Sequence, residues 1–217
     1  MRDNPIHTFL QFMTGQIPDQ LSLGGFRWIT VLVYWALFIA GIAIAVVNWR
    51  RDPHQRTVRD VSVFLLRYLA AGMWWLGTLW KLPLPVSPGF QYWLDQTVKF
   101  SAFQWHSDLM QAFDAHIAIM QPLVYLTEVF FTVSLMLGFA VRLSGILAAL
   151  FTLNLLIGLY NDPSEWPWTY VGIIIAHVMF AEYSAGRCLG LDNLVRLRPI
   201  RWLTDERLLA RAYRLAS

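Results

Sequence analysis

The chain has 217 residues, of which 57% are hydrophobic and 14% are charged, whereas an average soluble domain is about half apolar and about a quarter charged. This composition excludes an ordinary soluble fold, and about five membrane spans would use so much of the chain that no separate soluble catalytic domain fits. The formal charge of +3 comes from arginines beside apolar segments, which indicates orientation in a membrane and argues against nucleic acid as a partner.

The apolar segments, taken in chain order, predict an all-α integral membrane protein with about five spans. Their approximate bounds are residues 26–49, 61–80, 122–140, 143–160 and 168–184. Between the second and third spans lie residues 90–121, whose apolar side chains recur at three- and four-residue steps. This spacing predicts amphipathic helices that lie on the outer membrane surface.

Arginines are distributed unevenly among the segments outside the spans. Residues 50–60 hold four arginines and two aspartates, and Arg142 and the tail 193–217 are also positive, whereas residues 90–121 and 161–167 are net negative. By the positive-inside rule, the N terminus is outside and the C terminus is inside a cell (inner) membrane. Leucines among the tail arginines predict either an amphipathic helix on anionic headgroups or a disordered basic tail.

Arg67 and Glu182 are charged residues within the second and fifth predicted spans. A charge in the hydrocarbon costs about 3 kcal/mol, so each requires a partner, a path to the headgroups or a wet cavity. Both residues lie toward the cytoplasmic ends of their spans, which predicts an ion pair between them. The alternative is that Arg67 extends alone to the inner headgroups.

Lys81, Glu128, Asn154 and His177 are polar residues in the outer half or near the midplane of the predicted bundle. We predict that they line one outward-opening cavity, in which Glu128, His177 and Lys81 are the candidate catalytic residues and Asn154 helps to bind a cofactor. Two structural alternatives stay open. Glu128 can simply pair with Lys81, and His177 can make a single interhelical hydrogen bond.

Aromatic residues of the second span favour a quinone as the cofactor. Trp74 and Trp75 offer flat apolar faces that can hold a ring, whereas Trp80 fits an interfacial aromatic belt. No haem is predicted, because His177 is the only histidine within a span, and no metal is predicted, because the outer histidines and aspartates match no ligand pattern. The sequence has no dinucleotide or phosphate-loop motif, so any electrons must pass through a quinone or a partner subunit.

Several motifs follow one another in an order that resembles the DoxX/DoxD family of four-helix membrane proteins. The second span ends in Leu79-Trp80-Lys81-Leu82-Pro83, Glu128 follows with Gly138 and Arg142, and Ser184-Ala185-Gly186-Arg187-Cys188-Leu189-Gly190-Leu191-Asp192 follows the fifth span. The positions that carry the family motif are Arg142, Gly186, Arg187 and Asp192. Cys188-Leu189-Gly190 depart from the usual aromatic-serine-aliphatic-aspartate ending of the family.

The resemblance covers residues 61–192 and implies a four-helix membrane domain there. Residues 1–60 would be an additional segment with the first span and the basic loop, and residues 193–217 a basic tail. The long insertion between the first two family helices resembles the DoxD branch, which is the membrane subunit of thiosulfate:quinone oxidoreductase.

The implied function is a subunit that passes electrons from a small, possibly sulfur-containing reductant to membrane quinone, together with a partner subunit or as a homo-oligomer. The alternative is a non-catalytic membrane scaffold or assembly subunit of a partner complex. A small-solute transporter is less favoured, because the sequence has no visible repeats and no helices broken in mid-span.

Overall fold

The structure, a computed structural model, describes residues 4–197, 213 and 215–217. Within these residues the chain forms α-helices and short 3-10 helices and no β-strand, so the all-α prediction is confirmed. The α-helices are α1 (Pro5–Met13), α2 (Pro18–Ser22), α3 (Arg27–Arg51), α4 (Val58–Leu79), α5 (Pro88–Phe100), α6 (Gln104–Asp114), α7 (Ile117–Leu137), α8 (Val141–Gly158), α9 (Pro167–Glu182) and α10 (Leu191–Leu197). The 3-10 helices are Gly24–Phe26, Pro53–Gln55 and Ala185–Arg187. Most of the predicted amphipathic tail lies outside the described residues.

Four helical segments are apolar and long enough to cross a membrane. They are Gly24–Arg51, Val58–Leu79, Ile117–Leu137 and Val141–Gly158, with 28, 22, 21 and 18 residues. These segments indicate a multi-pass membrane protein. Helix α9 is also apolar, but its 16 residues form about 24 Å of helix, which is less than the hydrocarbon thickness of about 30 Å. The fifth crossing and the orientation of the chain therefore stay predictions.

Capping side chains and a glycine determine where several helices begin and end. The Thr57 side chain accepts a hydrogen bond from the backbone N–H of Asp60 at 3.0 Å and caps α4, and Ser87 accepts one from Phe90 at 3.2 Å and caps α5. Helix α7 stops at Gly138, whose φ of +69° favours glycine. The next helix begins three residues later, so α7 and α8 form a tight helical hairpin.

The helices pack in pairs. Helix α4 packs along α7, α8 packs along α9, and α3 packs against α7. In the interior, the Trp74 ring meets Phe131 and Phe151 edge-to-face, with ring centroids 5.0 and 5.6 Å apart. Helices α5 and α6 pack on each other and contact α8, and α6 also contacts α7. The α5–α6 pair therefore covers the end of the bundle at which α4 and α8 finish.

Candidate functional site

A cavity of about 260 Å³ lies under the α5–α6 pair, against the ends of α4, α7 and α8. Its wall is mostly aromatic and aliphatic, with four polar side chains among them. The lining residues are Trp80, Lys81, Phe90, Trp93, Leu94, Thr97, Met110, Phe113, Val124, Glu128, Phe151, Asn154 and Leu155. Concave, largely apolar sites with a few polar groups are typical of small-molecule binding. Of the four residues predicted to share a cavity, Lys81, Glu128 and Asn154 do so.

Lys81 and Glu128 form a buried ion pair on the cavity wall. The Lys81 Nζ lies 2.7 Å from Glu128 Oε2, and the two residues are only 2% and 4% exposed. The same ammonium donates a hydrogen bond to the Gly77 carbonyl at 2.7 Å and lies 3.6 Å from the centroid of the Trp80 ring. Burial lowers the pKa of Lys81, and the Glu128 carboxylate opposes this by stabilising the charged ammonium.

Asn154 is held on the cavity wall by a buried histidine. The Asn154 Oδ1 lies 3.0 Å from His106 Nε2, and the other ring nitrogen, Nδ1, lies 2.8 Å from Ser101 Oγ. His106 itself is 1% exposed. The sequence analysis missed this role of His106, although the residue shares the i, i+4, i+7 face of α6 with Met110 and Phe113.

His177 does not line the cavity, so the prediction that it joins Lys81 and Glu128 there is wrong. Its Nε2 accepts a hydrogen bond from Trp74 Nε1 at 2.9 Å, and its Nδ1 lies 2.8 Å from the Ile173 carbonyl. A carbonyl only accepts and an indole N–H only donates, so this arrangement fits a neutral imidazole with its proton on Nδ1. Both ring nitrogens are therefore used within the bundle.

Trp74 and Trp75 also lie away from the cavity, which corrects the prediction that they hold a ring. Trp74 points into the bundle core toward His177, and Trp75 faces α3, where its ring centroid lies 5.8 Å from that of Tyr34. The aromatic faces on the cavity belong instead to residues such as Trp80, whose ring stacks on that of Phe90 with centroids 6.3 Å apart. The rotation of α4 about its axis decides which of its tryptophans reaches the cavity.

The predicted ion pair between Arg67 and Glu182 is wrong. The fully buried Arg67 guanidinium donates hydrogen bonds to the backbone carbonyls of Leu135 and, at 3.2 Å, of Cys188. Glu182 is the last residue of α9 and is exposed. The ion pair found among the described residues joins Lys81 and Glu128. Leu135 lies in the last turn of α7, where carbonyl groups lack helical partners and carry partial negative charge. The carbonyl groups at the C-terminal end of α7 therefore take the place of the Glu182 carboxylate as partners of Arg67.

Two residues of the motif after α9, Gly186 and Asp192, lie together against the α7–α8 turn. The Asp192 carboxylate accepts hydrogen bonds from the backbone N–H of Ala140 at 2.9 Å and of Val141 at 3.3 Å. A Cβ on Gly186 would overlap this carboxylate. Burial raises the pKa of Asp192, whereas the hydrogen bonds from Tyr213, Ala140 and Val141 favour its ionised form. The motif fixes the start of α8 and lies away from the cavity.

The other two motif residues make fewer contacts. Arg187 donates a hydrogen bond to the Ser217 carbonyl at 3.0 Å, and Arg142 is half-buried in the first turn of α8. Asn193, next to the motif, donates to Asn48 Oδ1 on α3 at 2.9 Å. The segment after α9 therefore ties α3 to the bundle through a buried amide pair that the sequence analysis did not predict.

Comparisons with known proteins found no match: no family model fits the sequence, and neither a curated protein nor a solved structure is significantly similar to it. The resemblance to the DoxX/DoxD family therefore stays a prediction. Among the described residues, no group of three or more His, Cys, Asp or Glu side chains is placed to hold a metal ion.

Proposed function

We propose that this chain is the membrane subunit of a quinone-linked oxidoreductase and that the cavity beside Lys81 and Glu128 binds a quinone ring. The observation that carries this proposal is a largely apolar cavity, in part aromatic, with a buried ion pair and an amide on its wall. Ligand sites commonly have volumes of about 300 to 1,000 Å³. At about 260 Å³ the cavity suits one or two fused rings and is too small for a dinucleotide.

The residues present fit a quinone in shape and in chemistry. Trp80 and Phe90 provide stacked aromatic surface. Beside it the Lys81 ammonium carries exchangeable protons, and the Glu128 carboxylate can accept one. A quinone, when bound, would take up two electrons and two protons as it becomes a quinol. Lys81 would hold a proton next to a ring oxygen, Glu128 would take up the proton that replaces it, and the α5–α6 pair would exclude bulk water. His177 takes no part, because both of its ring nitrogens are used within the bundle.

The electron donor and the family follow from the sequence resemblance and are part of the same proposal. The chain would be a DoxD-like subunit that receives electrons from a small, sulfur-containing reductant outside, directly or through a partner subunit. The α5–α6 pair would then face the outside of a cell (inner) membrane, and the arginines of residues 50–60 would face the cytoplasm.

The proposal includes a fifth crossing by α9, with the N terminus outside and the C terminus inside. Helix α9 packs along α8, and its sequence carries no Asp, Glu, Lys or Arg before Glu182. A helix of about 24 Å can cross a bilayer that thins locally, at a modest cost.

Glu128→Gln tests the proposed role of the cavity. Purified protein with thiosulfate as donor and a soluble quinone analogue as acceptor should lose turnover severalfold, because glutamine keeps size and hydrogen bonding but cannot titrate. Glu182→Gln is the matched control, the same change at an exposed carboxylate, and should keep full turnover. The paired change Lys81→Gln with Glu128→Gln avoids a lone buried charge and should lose turnover as well.

Undiminished turnover in a folded Glu128→Gln protein would leave Glu128 as a structural partner of Lys81. The non-catalytic scaffold would then be the better account of the chain. Absence of turnover in the unchanged protein, alone and with co-purified subunits, would overturn the oxidoreductase proposal itself.

A further inference from the structure

We propose that the cavity recognises its ligand through a carbonyl oxygen, which accepts a hydrogen bond from the Asn154 amide, and that His106 is the positioning residue that fixes this amide. This inference rests on the proposed function, since it assigns the chemistry of the same cavity. Its structural basis is the hydrogen-bonded series of Ser101, His106 and Asn154 behind the cavity wall.

The hydrogen-bond pattern around His106 determines which end of the Asn154 amide faces the cavity. The Ser101 hydroxyl lies 2.8 Å from His106 Nδ1 but 3.5 Å from its other acceptor, the Ile157 carbonyl. The Asn154 oxygen beside Nε2 only accepts, so the ring carries its proton on Nε2, and Nδ1 accepts from the Ser101 hydroxyl. That Nε2–H donates to Asn154 Oδ1, so the Asn154 oxygen is used behind the wall.

The Asn154 Nδ2 group is then the part of the amide that can donate a hydrogen bond to a ligand in the cavity. It donates no hydrogen bond to the described residues, and Asn154 lines the cavity. The amide donor is therefore open to an acceptor atom of a ligand that enters the cavity, which would gain a hydrogen bond there. A carbonyl oxygen accepts and cannot donate, which makes it the natural partner of an NH₂ group.

On another part of the wall, the Lys81 ammonium already has partners. It contacts the Glu128 carboxylate, the Gly77 carbonyl and the face of the Trp80 ring. Asn154 therefore offers a free donor that Lys81 does not, and it should contribute more to selection among ring compounds than Lys81 does. A ring with carbonyl groups should bind more tightly than the same ring without them.

His106 fits closely into a notch beside α8, which keeps its ring orientation fixed. The notch exists because residue 158 is a glycine: a Cβ there would lie 3.1 Å from His106 Cε1 and 3.0 Å from the Cβ of Thr97. Gly158→Ala should therefore displace the histidine ring, together with Thr97, without changing any hydrogen-bonding group. This variant separates the position of His106 from its chemistry.

The test compares menadione with methylnaphthalene, which share the fused rings and the methyl group but differ in the two carbonyl groups. Binding is measured by equilibrium dialysis against protein in lipid nanodiscs, with empty nanodiscs as the blank for partition into lipid. We expect His106→Phe and Asn154→Leu each to weaken menadione binding about fivefold to tenfold and to leave methylnaphthalene unchanged. The double variant should lose no more than either single variant, because both act on one hydrogen bond.

His116→Phe is the matched control, because His116 is exposed and lies outside the cavity lining, and it should bind both compounds as the unchanged protein does. A second readout is the infrared carbonyl stretch of bound menadione. Because a hydrogen bond weakens the C=O bond, this stretch should lie at lower frequency in the unchanged protein than in His106→Phe, Asn154→Leu or Gly158→Ala.

The outcomes separate this inference from the proposed function. If menadione binds and His106→Phe or Asn154→Leu weakens both ring compounds equally, or neither, the carbonyl assignment is wrong while the quinone site stands. If menadione does not bind the unchanged protein above the nanodisc blank, the proposed function fails and this inference fails with it.

Discussion

Lys81 and Glu128, on different segments of the chain, meet as an ion pair with their charged atoms 2.7 Å apart and almost no exposure to solvent. Removing two charges from water costs several kcal/mol for each ion, and the attraction between them repays this only partly. A pair of apolar side chains would serve stability equally well or better. The presence of the ion pair on a cavity wall is therefore more consistent with chemistry in the cavity than with stability alone.

Breaking this pair from one side should destabilise the protein strongly. Lys81→Met leaves the Glu128 carboxylate buried without its counter-charge, and we expect a loss of about 3 to 5 kcal/mol. The double variant Lys81→Met with Glu128→Leu leaves no orphan charge and should recover most of that loss. Unfolding in detergent measures both, and additive losses would show that the two side chains do not interact.

Arg67 should be energetically independent of Glu182. Arg67→Met removes the donors to the Leu135 and Cys188 carbonyls and should cost several kcal/mol, at about 1 to 3 kcal/mol for each buried group left unsatisfied. Glu182→Ala, at an exposed helix end, should have little effect. A double-mutant cycle should be additive, and a coupling above about 1 kcal/mol would restore the ion pair that the sequence predicts.

The sequence was enough to predict a membrane protein and most of its helices, because long apolar segments with few charges are typical of helices that cross a bilayer. Helix ends were less accurate. Helix α7 begins at Ile117, five residues before the predicted start at Pro122. Proline is favoured at the first helical position, but Pro122 lies inside α7, where it removes one backbone hydrogen bond, that to the Ala118 carbonyl.

The site could be predicted only in part, because sequence gives the depth of a residue in a helix but not the direction in which it points. Depth correctly placed Glu128, Lys81 and Asn154 together at one end of the bundle. It could not show that His177 points to Trp74 instead, or that Arg67 faces the end of α7. These directions depend on how each helix is rotated against its neighbours, which packing of the whole bundle determines.

Gly41 should be essential for the contact of α3 with α4 and α7. A Cβ at this position would overlap the Tyr68 hydroxyl and would lie 2.5 Å from the Met136 carbonyl. Gly41→Ala should therefore destabilise the protein by about 1 to 3 kcal/mol through overpacking. Gly172→Ala on α9 is the matched control, since nothing lies within 4 Å of its Cβ position, and it should be neutral or slightly stabilising. Equal effects of both changes on unfolding would contradict this packing.

Single cysteines in a Cys188→Ser background test the proposed topology. In intact cells an impermeant maleimide should label Gln111→Cys on α6 and Ser164→Cys before α9. It should label Arg56→Cys and Glu182→Cys only after the membrane is permeabilised, because the arginine-rich segments face the cytoplasm. Labelling of Ser164→Cys and Glu182→Cys from the same side would show that α9 does not cross, and the reverse of the whole pattern would invert the orientation.

The most direct test of the quinone site is to fill the cavity and measure binding. Val124 lines the cavity, whereas the neighbouring Leu123 on the same helix is 53% exposed. Menadione binding to protein in nanodiscs is compared for Val124→Trp and for Leu123→Trp, the same substitution one residue away. We predict that Leu123→Trp binds as the unchanged protein does and that Val124→Trp binds at least about tenfold more weakly. Equal binding by the two variants would contradict the assignment of this cavity as the quinone site.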